Sequence, residues 1–175
     1  MPRLLIIPGS LRAASASKAA ARAITQMLGD AADCVTADIS ALPLYNADVT
    51  HNADVAAFIA SVAEADGVVL ITPEYNYSVP GVLKNAIDWA SRPAFQSVFK
   101  DKPCFVMSIS GGALGGVRAQ GHLKYTLNGM LAKIHAGKEI VVTFANDKVQ
   151  GGVLVDENVM AFTRAELDSF LATLG

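Results

Sequence analysis

The sequence predicts a doubly wound α/β domain built on a five-stranded parallel sheet, and three observations support this. Short, continuously apolar runs at 4–7, 67–71 and 104–109 are each followed by Gly, Pro or Ser, as expected of strands buried on both faces. Longer helical stretches separate these runs. Strand then alternates with helix along the chain, the rhythm of a parallel sheet with crossover helices.

Taken in order, the first strand (4–7) stops at Pro8-Gly9, and a helix follows over 17–28 behind a Ser-rich turn. Val35 marks a weaker second strand, and a second helix spans 53–65. The third strand, 67–71, leads through Thr72-Pro73 into a helix over 80–91, whose core stripe is Val82, Leu83, Ala86, Ile87 and Ala90. The fourth strand, 104–109, is followed by a helix over 116–131. Ile140-Val141-Val142 adds a weaker fifth strand, and a last helix covers 163–174. Asn146-Asp147-Lys148 and Gly151-Gly152 read as a polar connection before it.

Right-handed crossovers and five short strands favour a flavodoxin-like sheet in the order 2-1-3-4-5. Ligands then gather at the carboxyl ends of strands 1, 3 and 4, which lead into loops 10–17, 73–78 and 110–116. No repeat or low-complexity linker divides the 175 residues, so residues 1–175 read as one domain.

Composition excludes several functions. With 52% hydrophobic and 17% charged residues, the chain is too apolar for disorder. The net charge of -2 is interspersed, with no basic run to neutralise a nucleic-acid backbone. The apolar start, Leu4-Leu5-Ile6-Ile7, is far short of a membrane span and lacks a signal-peptide cleavage pattern, so a cytoplasmic protein is expected. Cys34 and Cys104 have no CxxC partner and read as free thiols. His51, His122 and His135 match no metal pattern. Glu74 has no His or second carboxylate beside it in sequence, so no acid/base dyad is supported. Lys84 and Asp88 form an i,i+4 surface pair.

The loop after strand 1 carries Ser10, Arg12, Ser15 and Ser17. A phosphate needs several convergent donors, and a helix N-terminus offers free amides with a favourable dipole. Hydroxyls and a forked guanidinium can add to these. The alternative is that Ser15 or Ser17 simply caps the helix. GxxxxGK[ST] and GxGxxG patterns are both absent, and no Cys stands near Arg12, which leaves a mononucleotide phosphate as the best fit.

After strand 3, Tyr75 and Tyr77 offer flat faces with polar tips, and Pro73 and Pro80 restrict the backbone. Such a turn can aim amides at the edge of a planar heterocycle. Ordinary packing of a Tyr-Asn-Tyr turn is the competing explanation. Ser110-Gly111-Gly112 allows a backbone to approach a ligand closely at the third strand end.

These segments, Gly9-Ser10-Leu11-Arg12-x-x-Ser15, residues 42–49 (Leu-Pro-Leu-Tyr-Asn-Ala-Asp-Val) and residues 72–89 with their Pro73-Glu74-Tyr75-Asn76-Tyr77 core, resemble the NADPH-dependent FMN reductase family, which includes bacterial chromate and quinone reductases and azoreductase relatives. The resemblance covers most of residues 3–145. It implies that Ser10, Leu11, Arg12, Ser15, Ala16 and Ser17 hold an FMN phosphate. It also implies that Pro73, Glu74, Tyr75, Asn76 and Tyr77 line the isoalloxazine ring, with Ser110 and Gly111 on another edge. Relatives are homodimers or homotetramers, with NADPH or NADH as co-substrate. Ser17 stands where many relatives have Asn, and Gly121 and Lys124 where close relatives often carry an aromatic and an Arg.

The expected activity is an FMN-dependent NAD(P)H oxidoreductase that passes electrons to quinones, or to free flavin, azo dyes or chromate, with no protein nucleophile. The alternative is a flavodoxin-like electron carrier or FMN-binding module without NAD(P)H activity. The near-neutral charge disfavours it, because carriers dock by long-range attraction.

Overall fold

The computed structural model describes residues 1–174. Its sheet runs in the order β2-β1-β3-β4-β5, with a further strand, β6, beside β4. The strands are β1 (Arg3–Pro8), β2 (Asp33–Thr36), β3 (Gly67–Thr72), β4 (Pro103–Ile109), β5 (Lys133–Ile134) and β6 (Ile140–Val142), all paired in parallel. The expected order is therefore the observed one.

Successive side chains of a strand point to opposite faces, which divides the core in two. Leu4, Ile6, Val69, Ile71, Phe105, Met107 and Ile109 pack on one face with Ala20 and Ile24 of α1 (Ala16–Leu28) and Leu167 and Phe170 of α6 (Glu157–Leu171). Leu5, Ile7, Val68, Leu70, Cys104 and Val106 pack on the other. That face is covered by Phe58 and Val62 of α2 (Ala53–Glu64), by Leu83, Ala86, Ile87 and Ala90 of α3 (Gly81–Ala90), and by Leu123 and Leu127 of α4 (Val117–Gly129). Both faces being covered explains why the strands read as unbroken apolar runs.

The sequence reading differs from the structure at the fifth strand and in the last forty residues. The fifth strand position is filled by two pieces: β5 pairs with Pro103 and Cys104, and β6 with Met107 to Ile109. Between them His135 turns its ring inward, stacking on Phe105 at 5.7 Å and meeting Phe170 edge-on at 5.6 Å. A Cβ at Gly137 would collide with the His135 ring and the Glu166 carboxylate, so the break needs a glycine there.

The polar connection is more ordered than expected. It contains the short helix α5 (Ala145–Lys148) and an antiparallel hairpin of β7 (Val149–Gln150) and β8 (Val153–Leu154). Gly151 and Gly152 take φ of 55° and 77°, the left-handed pair that a two-residue hairpin turn requires. Helix α6 starts at Glu157 instead of 163, because Asp156 caps it by accepting from the Val159 amide at 2.9 Å.

Residues 42–46 are strapped to α3. The Asn85 side chain accepts from the Tyr45 amide and donates to the Pro43 carbonyl, and the Trp89 indole donates to the same carbonyl at 2.7 Å. Trp89 is thereby buried, as are Leu83, Ala86, Ile87 and Ala90 of α3, while Val82 is half-buried. Both cysteines are free. Burial pushes the Cys104 thiol up to about 12, against the opposing charge of Lys102, which makes it unreactive. No helix among the described residues is long and apolar enough to cross a membrane.

Candidate flavin site

The carboxyl ends of β1, β3 and β4 lie in register, with Pro8 beside Ile71 and Thr72 beside Ser108. The loops leaving them enclose a cleft of about 340 Å3, within the range of roughly 300–1,000 Å3 common for small-ligand sites.

At the first strand end, the Gly9 amide extends the ladder to the Ile71 carbonyl at 2.9 Å. A Cβ at Gly9 would lie 2.8 Å from Leu83 Cδ2 and 3.2 Å from both the Ile71 oxygen and Pro73 Cδ. Glycine is needed there by close approach. Ser10 and Ser15 are only 2% and 5% exposed, yet both line the cleft with Arg12, Ala14 and Ala16. Ser15 is the N-cap of α1, its Oγ accepting from the Ser17 amide at 3.2 Å. The capping explanation for Ser15 therefore holds, and it is compatible with anion binding. No acidic residue stands in the first turn of α1, which leaves its positive dipole end unopposed.

Ser17 is fully buried, with its Oγ 2.7 Å from that of Ser15, so its side chain faces the capping hydroxyl and lies outside the cleft lining. Leu11 points the other way, into a separate cavity with Lys18, Arg22 and Asp38.

At the third-strand loop, the Tyr75 and Ser78 backbones exchange two hydrogen bonds of 3.1 Å. Asn76 and Tyr77 between them take φ of 48° and 68°, the geometry of a type I′ turn. Pro73, Glu74 and Tyr75 line the cleft, whereas Asn76 and Tyr77 stand beyond it, exposed. Tyr75 reaches back, its hydroxyl 2.9 Å from Ser10 Oγ, and joins the two loops directly.

The Glu74 carboxylate is turned toward α4. Its Oε2 accepts from the backbone amides of Arg118 and Ala119 at 3.2 and 3.3 Å, and its Oε1 from Arg118 Nε at 2.8 Å. Helix α4 starts after Gly116, which sits at φ 84° and offers no capping side chain, so Glu74 supplies the N-cap carboxylate from 44 residues away. Burial raises the Glu74 carboxyl, but hydrogen bonds from Arg118 and the Ala119 amide, with the guanidinium charge, outweigh it and hold the group below the ordinary carboxylate range. Arg118 in turn lies 3.8 Å over the Tyr77 ring, a cation–π contact.

The fourth-strand end contributes Ile109, Ser110 and Gly111. The Ser110 amide donates to the Val142 carbonyl and the Ala145 amide to the Ser110 carbonyl, each at 3.0 Å. These bonds tie on a wall that the sequence reading did not anticipate, made of Ala145, Asn146 and Val149. No group of three potential metal ligands occurs among the described residues.

Buried hydroxyls at a helix N-terminus, an adjacent guanidinium and a shallow aromatic turn fit a phosphorylated planar cofactor such as FMN. Comparison with known proteins agrees. Residues 2–147 match the family described as NADPH-dependent FMN reductase. The chain is 35% identical to a 2-hydroxy-1,4-benzoquinone reductase of Burkholderia sp, over 97% of this chain and 94% of that protein. It is 37% identical to an NAD(P)H-dependent FMN reductase of Pseudomonas aeruginosa, over 95% and 92%. The solved structure of FerB, a flavoenzyme NAD(P)H:(acceptor) oxidoreductase from Paracoccus denitrificans, superposes with a TM-score of 0.90 at 30% identity, over 99% of this chain and 97% of that one. The chain belongs to the NADPH-dependent FMN reductase family and is an oxidoreductase.

Proposed function

We propose that the chain oxidises NAD(P)H through FMN held in this cleft and reduces quinone-like acceptors. The observation that carries the reading is the joining of the two loops across the cleft, with Ser10 and Tyr75 in hydrogen-bond contact. It gives one continuous site with an anion end and a ring end. The quinone preference is supported by the hydroxybenzoquinone reductase among its relatives, and free flavin, azo dyes and chromate are secondary acceptors.

FMN held there would supply the redox chemistry, a two-electron exchange between NAD(P)H and the acceptor. The quinone becomes a hydroquinone by gaining those electrons and two protons. Arg12, with the hydroxyls of Ser10 and Ser15 and the first amides of α1, neutralises and orients the phosphate. Ser17 acts behind Ser15, fixing the direction of its hydroxyl. Pro73, Glu74 and Tyr75 form the ring-side wall, with Ser110 and Gly111 as a second edge. Asn76 and Tyr77 shape the turn from outside the cleft. The protein's part is binding and orientation. Self-association to a dimer or tetramer is part of the proposal.

Anaerobic stopped-flow mixing of the FMN-loaded protein with NADPH, and separately with NADH, tests this. Bleaching in one two-electron step, followed by recovery over many turnovers with benzoquinone, is expected. Reduction no faster than that of free FMN would overturn the assignment and leave an electron carrier as the better account.

A further inference from the structure

The geometry points to Asn146 as an additional flavin-binding residue, its carboxamide recognising the polar ribityl phosphate tail and not the ring. This rests on the FMN reading of the cleft. Asn146 lies in α5, on the wall formed after β6, and lines the same cleft as Ser10, Arg12 and Ser15. Among the described residues its side chain has no hydrogen-bond partner, so both amide donors and the acceptor are available.

Two features hold that side chain in place. Phe144 takes φ 49° and ψ 45°, a left-handed conformation costly for a bulky residue. It is fixed there as its amide donates to the Gly112 carbonyl at 3.2 Å, while the Ala145 amide donates to Ser110. The turn bearing Asn146 is thus fastened to the loop that ends β4. Gly111 then makes room: a Cβ there would lie 3.1 Å from Asn146 Nδ2 and 3.5 Å from its Cγ and Oδ1, so the whole carboxamide rests against the glycine.

The chemistry selects the tail. Ribityl hydroxyls both donate and accept, and a phosphate accepts. A neutral carboxamide answers either, without the desolvation cost of a second charge beside Arg12. Val149, on the wall that carries Asn146, packs against the same apolar cluster as Ala16 of α1, and both line the cleft with Ala14 and Ser15. The ring-side residues Pro73 to Tyr75 lie in the loop that leaves β3.

Fluorescence titration of wild-type and Asn146→Ala proteins with FMN, riboflavin and lumiflavin tests the assignment, with apo-protein melting as the control for folding. Asn146→Ala should weaken FMN about two- to tenfold, the range of one hydrogen bond. Lumiflavin, which lacks the tail, should behave alike on both proteins. Parallel loss for riboflavin assigns the contact to the hydroxyls, and loss for FMN alone assigns it to the phosphate; either supports tail recognition. Unchanged FMN affinity in Asn146→Ala, or an equal loss for lumiflavin, overturns it. A wild-type protein that binds no FMN overturns the reading of the cleft itself, an outcome distinct from failure of Asn146 alone.

Discussion

The two ends of the cleft are built in opposite ways. The phosphate end is local: Ser10, Arg12, Ser15 and Ser17 lie within eight residues, and the three hydroxyls are buried and bonded to neighbours in the same loop, to Tyr75, or to one another. The ring end is held from a distance. Its turn carries two left-handed residues, neither of them glycine, and is anchored by Glu74 reaching α4. A helix N-terminus can be made from consecutive residues, whereas a strained, exposed turn needs a tether from another element.

Arg12→Ala would sharpen this contrast most. Loss of one charged hydrogen-bond donor to the phosphate should cost about 1.5 to 3 kcal/mol, roughly ten- to a hundredfold in FMN affinity. Riboflavin should bind wild type and variant about equally in a titration. A matching loss for riboflavin would show that Arg12 supports the loop and not the phosphate.

Gly9→Ala attacks both ends together, because the new methyl meets Leu83 on one side and Pro73 on the other. Overpacking of this kind costs about 1 to 3 kcal/mol. Denaturant unfolding should show a lower midpoint with an unchanged slope.

Glu74→Gln affects the ring end alone. Exchanging a charge-assisted bond for a neutral one should lower stability by about 1 kcal/mol. The pH dependence has a defined sign. The Glu74 carboxyl is held below its ordinary value in the folded protein, so its contribution is fully present above the unfolded value of about 4.3. It is lost as pH falls from there through the lower folded value. Wild-type and Glu74→Gln proteins should therefore converge in melting temperature below about pH 4, and a constant gap down to pH 3 would contradict the tether.

How far each end can be read from sequence follows from the same difference. The β1–α1 loop is legible because its donors are adjacent in the chain, and the sheet order because three strands are buried on both faces. The Pro73–Ser78 loop is recognisable by its residues, but the direction of Glu74 is not, since its partners are 44 and 45 residues away. Asn146 is missed for a similar reason. A polar tripeptide before Gly-Gly reads as a connection, and only the folded β7–β8 hairpin and the bonds to Ser110 and Gly112 bring it to the cleft. The divided fifth strand is equally hidden, because the inward turn of His135 depends on Phe105 and Phe170.

The remote cap on α4 has a consequence for how the molecule opens. The Arg118 and Ala119 amides, at the start of a helix where such groups usually face water, are protected by a side chain of the cofactor loop. Their hydrogen exchange is therefore governed by release of Glu74, so the first turn of α4 and the Pro73–Ser78 turn open as one cooperative unit. Two backbone amides on a helix thus become reporters of loop opening, measurable in solution without any label placed in the site.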